Sequence, residues 1–405
     1  MSVSGRQGLG LAIKSKEGGL LMPSVSVKVE PAVIDWVLRY TSDLKNNDVV
    51  ESLFKWKTGE KTPTFNQVES VSRAVRIPLG YFFLKIPPNE DFPILQYRTI
   101  GSKGADEPGR DMVDTLNHME DVQGWMREYM IDAGYDRLHF VGSCTVRQDR
   151  AATVDHVRDV LQISVNWHER ITTRTDAFKY FRKKLENIGV LVMMSGIVGN
   201  NTRRKLNVED FRAFTLVDEY APLIFINAND SDGAKLFSLL HEFAHIIFGM
   251  DDVYNDRYGN ADGVAAIETL CNFVAAEALV PADSFHREWR RLPDHDMSGK
   301  LQALSTSFKC GAVVIARKAL DSQYIDKERY KAVVEDAVNQ FKNARGKGSG
   351  GNYYSNASTR MDNRFLIALD NNVKEGKTQY TDAFRLTRTN GKTFSKLMDE
   401  VRGTD

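Results

Sequence analysis

The stretch that most restricts what this chain can fold into is 236–248, a run apolar nearly all round that nevertheless carries His241, Glu242 and His245. A helix without a polar face has to be buried, and two imidazoles and a carboxylate inside it are costly unless they are paired or bind a metal. Positions i and i+4 share a helix face, so His241 and His245 can aim their rings at one point. Glu242 projects beside that point, where its carboxylate can take a proton from water. The HExxH pattern therefore predicts a buried helix with a zinc site of the hydrolytic kind.

Zinc needs a third protein ligand. An HExxHxxGxxH continuation would put Gly at 248 and His at 251, but Phe248 and Asp251 stand there, which excludes that class. Downstream candidates are Asp251, Asp252, Asp262, Glu268, Glu277 and His286. The helical stretch 265–279 places Glu268 and Asn272 on one face, with Ile267, Cys271, Val274 and Ala278 as its apolar stripe. Glu268 is the expected ligand, with Asn272 supporting it by hydrogen bonding, a gluzincin-like set. Glu277 lies more than two turns on, close to Pro281, and is expected to be structural or ion-paired.

The segments FSLLHEFAHIIFG and IETLCNFVAAEALVP resemble the ImmA/IrrE family of metallopeptidases. Residue by residue, the family's ligands fall on His241, His245 and Glu268 and its general base on Glu242. The resemblance implies a zinc-dependent endopeptidase that cleaves a DNA-binding repressor, often of XRE type, in prophage, mobile-element or stress regulation.

Composition sets outer limits. A chain of 405 residues with 42% hydrophobic content can bury a full core and suggests two or three domains. Formal net charge is zero, which argues against bulk attraction to nucleic acid or membrane. No run of 18 apolar residues appears and the first residues lack an h-region, so neither a membrane span nor a signal peptide is expected. Cys144, Cys271 and Cys310 are scattered singly, which fits a reducing cytoplasm.

Taken in order, residues 1–25, rich in Gly, Ser and Lys, read as a flexible arm. Helices are expected from Pro31, where Val33, Trp36, Val37 and Tyr40 share a face, then over 48–56 and 66–75, closed by an aromatic knot at Tyr81, Phe82 and Phe83. The segments WVLRY and KWKTGEKTPTFNQVESVSRAVRIPL resemble an XRE-type helix-turn-helix module spanning 26–88. The stretch before Trp56 is several residues short, and Lys57 stands where the family usually has Glu. Nine Lys or Arg against seven Asp or Glu in 26–88 leave a net of +2, too little for strong phosphate binding. The module therefore reads as degenerate, a scaffold or docking unit rather than a DNA reader.

Residues 89–175 read as a helical connector whose four His show no ligand spacing. The catalytic domain is expected over 176–340, with three strand-like runs at 190–194, 211–217 and 222–227 leading into the metal helix. Asp230, Ser231 or Asp232 can cap that helix and Gly249 can end it. The expected class is α+β, mostly helical, with a small sheet before the HExxH helix as in zincin-like peptidases. An edge strand drawn from 190–217 is expected to pair with an extended substrate. Residues 341–405 form a Gly and Ser rich basic loop and a helical tail; Tyr353 or Tyr354 in the loop, or Tyr254 or Tyr258 nearer the motif, can supply a hydroxyl to an oxyanion. Two other readings fit the pattern: a DNA-binding regulator or antitoxin-like protein with a structural HExxH, and a non-proteolytic partner-binding module.

Overall fold

The computed structural model describes residues 25–39, 41, 47–88, 109–249, 261–293, 295–344 and 359–403. The chain divides into two units, Met1–Asp91 and Phe92–Asp405.

In the first unit, α1 (Pro31–Arg39), α2 (Asn47–Lys57) and α3 (Phe65–Val75) are followed by a 3-10 turn, Leu79–Phe83. Thr64 starts α3 with a reciprocal capping box to Gln67, and Arg76 in the left-handed region ends it. Val33, Ile34, Val37, Leu53, Val68 and Phe82 form the core. The aromatic knot is only partly internal, since Phe82 is buried while Phe83 turns outward and stacks on Phe65 at 6.0 Å. Several cations of this unit already face acids: Lys55 with Glu51 at 2.6 Å, Lys57 with Asp35 at 2.6 Å and Arg73 with Glu69 at 2.5 Å.

The second unit opens with α4 (Arg110–Asp132), α5 (Arg150–Leu161) and α6 (Arg174–Asn187). Strands β1 (Leu191–Ser195), β2 (Ala213–Leu216) and β3 (Leu223–Asn227) follow, and α7 (Asp232–Phe248) leaves directly from β3. Next come α8 (Ala261–Leu279), α9 (Ala282–Arg291), α10 (Met297–Ser307), α11 (Ala312–Asp321) and α12 (Lys327–Ala344). The tail supplies α13 (Asn363–Lys374), α14 (Tyr380–Thr387) and α15 (Gly391–Arg402). The class is α+β, with a small sheet before the HExxH helix.

β3 is the central strand, parallel to β1 and antiparallel to β2. Every β3 residue is buried, because the strand is covered on both faces. The two-residue period sends Val192, Ala213, Ile224 and Ile226 into a core with α5–α11. Leu191, Met193, Phe214, Leu223 and Phe225 point the other way, into a core with α4 and α13–α15. The 89–175 stretch thus gives α4 to one core and α5 to the other.

The outer edge of β1 is closed by side chains. Val192 donates its N–H to Asp362 Oδ2 at 3.3 Å, its carbonyl accepts from Arg182 at 3.0 Å, and the Val190 carbonyl accepts from Arg364 at 2.7 Å. Asp362 also caps α13, so the same carboxylate ties the tail to the sheet.

Candidate metal centre

The helix carrying His241 is fixed at both ends. Ser231 accepts the Ala234 N–H at its start, and Gly249 ends it at φ 63°, a left-handed conformation that glycine adopts without strain. A side chain at 249 would also lie 2.7 Å from the Gly142 Cα. That approach lets Gly142 and Cys144 donate their N–H groups to the Ile246 and Ile247 carbonyls at 3.0 and 3.1 Å, so carbonyls of the last turn are satisfied inside the core. At the other end, Gly233 sits against Gly311, where an added Cβ would be 2.7 Å from a backbone nitrogen. Backbone approaches at both ends thus set the position of the helix.

His241, Glu242 and His245 are all buried on this helix. α8 packs along it and brings Glu268 over the two rings, while Cys271, Val274 and Ala275 go into the core. His241 Nε2 lies 3.3 Å from Glu268 Oε2, His245 Nε2 3.1 Å from Glu268 Oε1, and the two Nε2 atoms are 3.2 Å apart. Donors around a tetrahedral ion with bonds of about 2.0–2.1 Å are about 3.3 Å apart, so the three groups are spaced for one cation. Glu268 Oε1 is buried and makes no well-directed hydrogen bond despite its closeness to His245. Among the described residues, this trio is the group able to hold a metal.

The electrostatics agree. Burial alone raises the Glu268 carboxyl, but the His241 and His245 rings outweigh it and hold the group well below the usual carboxylate range. Burial disfavours a charged His245, yet Cys271, Glu268 and Glu242 beside it push the ring well above the ordinary imidazole value. The cluster therefore favours positive charge at its centre.

Other candidates are accounted for elsewhere. Glu277 pairs with Lys318 and accepts the Ala282 N–H at 3.1 Å, the structural role expected of it. His286 Nδ1 is 2.9 Å from the Tyr324 hydroxyl. Asn272 is half-buried one turn beyond Glu268. Tyr254, Tyr258, Tyr353, Tyr354, Asp251, Asp252 and the side chain of Asp262 lie outside the described residues. Sequence reasoning placed Cys271 in the apolar stripe and missed its contact with His245; the available signal was its position three residues after Glu268.

Residues 186–320 match the peptidase family model described as the IrrE N-terminal-like domain. Residues 361–400 match a domain of unknown function, DUF8813. No curated protein matches the chain. The first match covers the sheet, α7 to α10 and nearly all of α11, and it supports a metallopeptidase-type function acting on a protein substrate. No described helix is long and apolar enough to cross a membrane.

Proposed function

We propose that this protein is a zinc-dependent endopeptidase whose metal is held by His241, His245 and Glu268 and whose general base is Glu242. The observation that carries the reading is the convergence of two imidazole nitrogens on the buried helix α7 and a carboxylate on α8 within 3.1–3.3 Å. A His, His, Glu set suits zinc, which when bound would supply Lewis acidity toward water and a peptide carbonyl.

The chain's own residues do the rest. Glu242 neighbours His241 in sequence and its charge reaches His245, so its carboxylate stands beside the ligand cluster. It takes the proton from the attacking water and delivers it to the leaving amine nitrogen. The buried apolar surroundings, including Phe237 stacked 6.2 Å from His241, keep bulk solvent from competing for the donors. Asn272, one turn from Glu268, supports the ligand carboxylate.

Substrate pairing is assigned to β2. The register and the Asn227 N–H bond to the Arg212 carbonyl turn the backbone groups of Ala213 and Thr215 away from β3, toward an edge that is itself buried and must be uncovered before a peptide pairs there. β1 is occupied by Arg182, Asp362 and Arg364. α7 packs against β2, so an added peptide strand runs near the metal helix. The substrate class follows the family likeness: a DNA-binding repressor of XRE type, in prophage, mobile-element or stress regulation within the cytoplasm. The DNA-binding alternative gains no support from the first unit, where Lys55, Lys57 and Arg73 face acids rather than an open basic surface.

Metal content and cleavage measured together test the reading. Wild-type protein is expected to hold one zinc per chain and to cut a repressor encoded beside its gene. Glu242→Gln is expected to keep the zinc and lose about 10²–10⁴-fold in rate. A Glu242→Gln protein that cuts at the wild-type rate overturns the assignment.

A further inference from the structure

On the side of the sheet away from α7, a pocket lies between the end of β1, α4 and the turn joining α14 to α15. Its floor is apolar, with Met119, Met193, Phe225 and Leu397. Two arginines, Arg360 and Arg388, line it, and among the described residues no Asp or Glu does. Asn200 links them: its Oδ1 accepts from Arg360 Nη1 at 3.2 Å, and its Nδ2 donates to the Arg388 carbonyl.

Acids on α4 are turned to other cations. Asp111 and Asp114 each lie 2.7 Å from Arg204, and Asp121 lies 3.5 Å from Arg385. Among the described residues none makes a hydrogen bond or ion pair with the exposed Arg388 guanidinium, and its aliphatic stem packs on Gly199. Arg388 holds φ 52°, the left-handed region, as the cap of α14. The pocket also contains His118, whose Nε2 is 2.8 Å from the Leu386 carbonyl. Burial, then the positive charge of Arg388, press that ring down to about 4, so it is a neutral wall.

The geometry points to a binding site for a small organic carboxylate with an apolar body. The planar Arg388 guanidinium matches a carboxylate in charge and shape, and the Met, Phe and Leu floor gives the hydrocarbon part a surface to cover. An inorganic anion would leave that floor bare. The segment matching the domain of unknown function contributes Thr387, Arg388, Thr389 and Leu397, so completing this pocket is a role for it. The site shares no residue with the metal cluster and does not depend on the peptidase reading.

Calorimetric titration of the full chain with sodium hexanoate, hexan-1-ol and sodium phosphate tests the proposal. Hexanoate is expected to bind, with both other probes at least tenfold weaker. Arg388→Ala, an exposed change whose fold circular dichroism can check, is expected to weaken hexanoate about tenfold or more, with Arg388→Lys in between. No hexanoate binding, equal binding by Arg388→Ala, or hexan-1-ol or phosphate binding as tightly as hexanoate would each overturn it.

Discussion

Along β3 the side chains alternate between two environments: Ile224 and Ile226 pack with α7 and α8, whereas Leu223 and Phe225 pack with α4 and the tail helices. The α7 side buries an ionisable cluster in its core, with His241, Glu242 and His245 surrounded by Leu239, Leu240, Phe243 and Ile246. The opposite side buries ionisable groups too, but each is matched to a partner: Asp362 to the Val192 N–H and Arg364, Asp370 to Arg402 and Lys374, and Arg110 to Asp114. A buried polar cluster costs stability and is kept where it binds something, while an apolar core of Phe, Leu and Met contributes stability directly. One sheet therefore separates a face whose buried ionisable groups converge on one point from a face whose buried ionisable groups tie elements together.

Changes on the two faces should separate these properties. His241→Ala should abolish both metal retention and cleavage, the largest effect, and chelation of the wild type should reproduce it. Retention of a full zinc equivalent, by elemental analysis, would break the contrast. Phe365→Ala, on the opposite face, removes a fully buried ring that meets Trp125 edge-on at 5.6 Å. It should cost about 3–5 kcal/mol in denaturant melts while the folded fraction keeps its metal.

Acid should act on the same face through His118. Its ring is held near 4 in the folded protein against 6.5 ordinarily, so the unfolded chain takes up the proton first. Stability from this group is complete above about pH 6.5 and is lost as pH falls toward 4, by about 3 kcal/mol in total. His118→Gln should flatten that part of the pH profile; an unchanged slope would assign the acid sensitivity elsewhere. The smallest effect is expected at the entry to the metal helix, where Ser231→Ala removes a cap worth about 1 kcal/mol and should leave zinc stoichiometry unchanged.

Legibility differs between the faces for a physical reason. Glu268 and the two His lie within one pair of adjoining helices, so helical spacing was enough to name the three residues that the structure brings together. The strands 191–195, 213–216 and 223–227 fell inside or within one residue of the apolar runs at 190–194, 211–217 and 222–227. The α2 and α3 boundaries came within one residue as well. The pocket is assembled from residues near 118, 193–200, 225, 360 and 387–397, and no local pattern links segments so far apart. The same holds for the closure of β1 by Arg182, Asp362 and Arg364.

By itself the sequence determined that 236–248 is a buried helix carrying His241, Glu242 and His245, and that a sheet precedes it. Periodicity and residue chemistry act over a few turns, and the chain displays them openly. Only the tertiary structure decided which strand edge is closed, how Cys271 and Gly142 meet the metal helix, and that the tail completes a second core and a pocket. Those outcomes depend on pairings across long loops, which are set by shape and burial rather than by any local spacing.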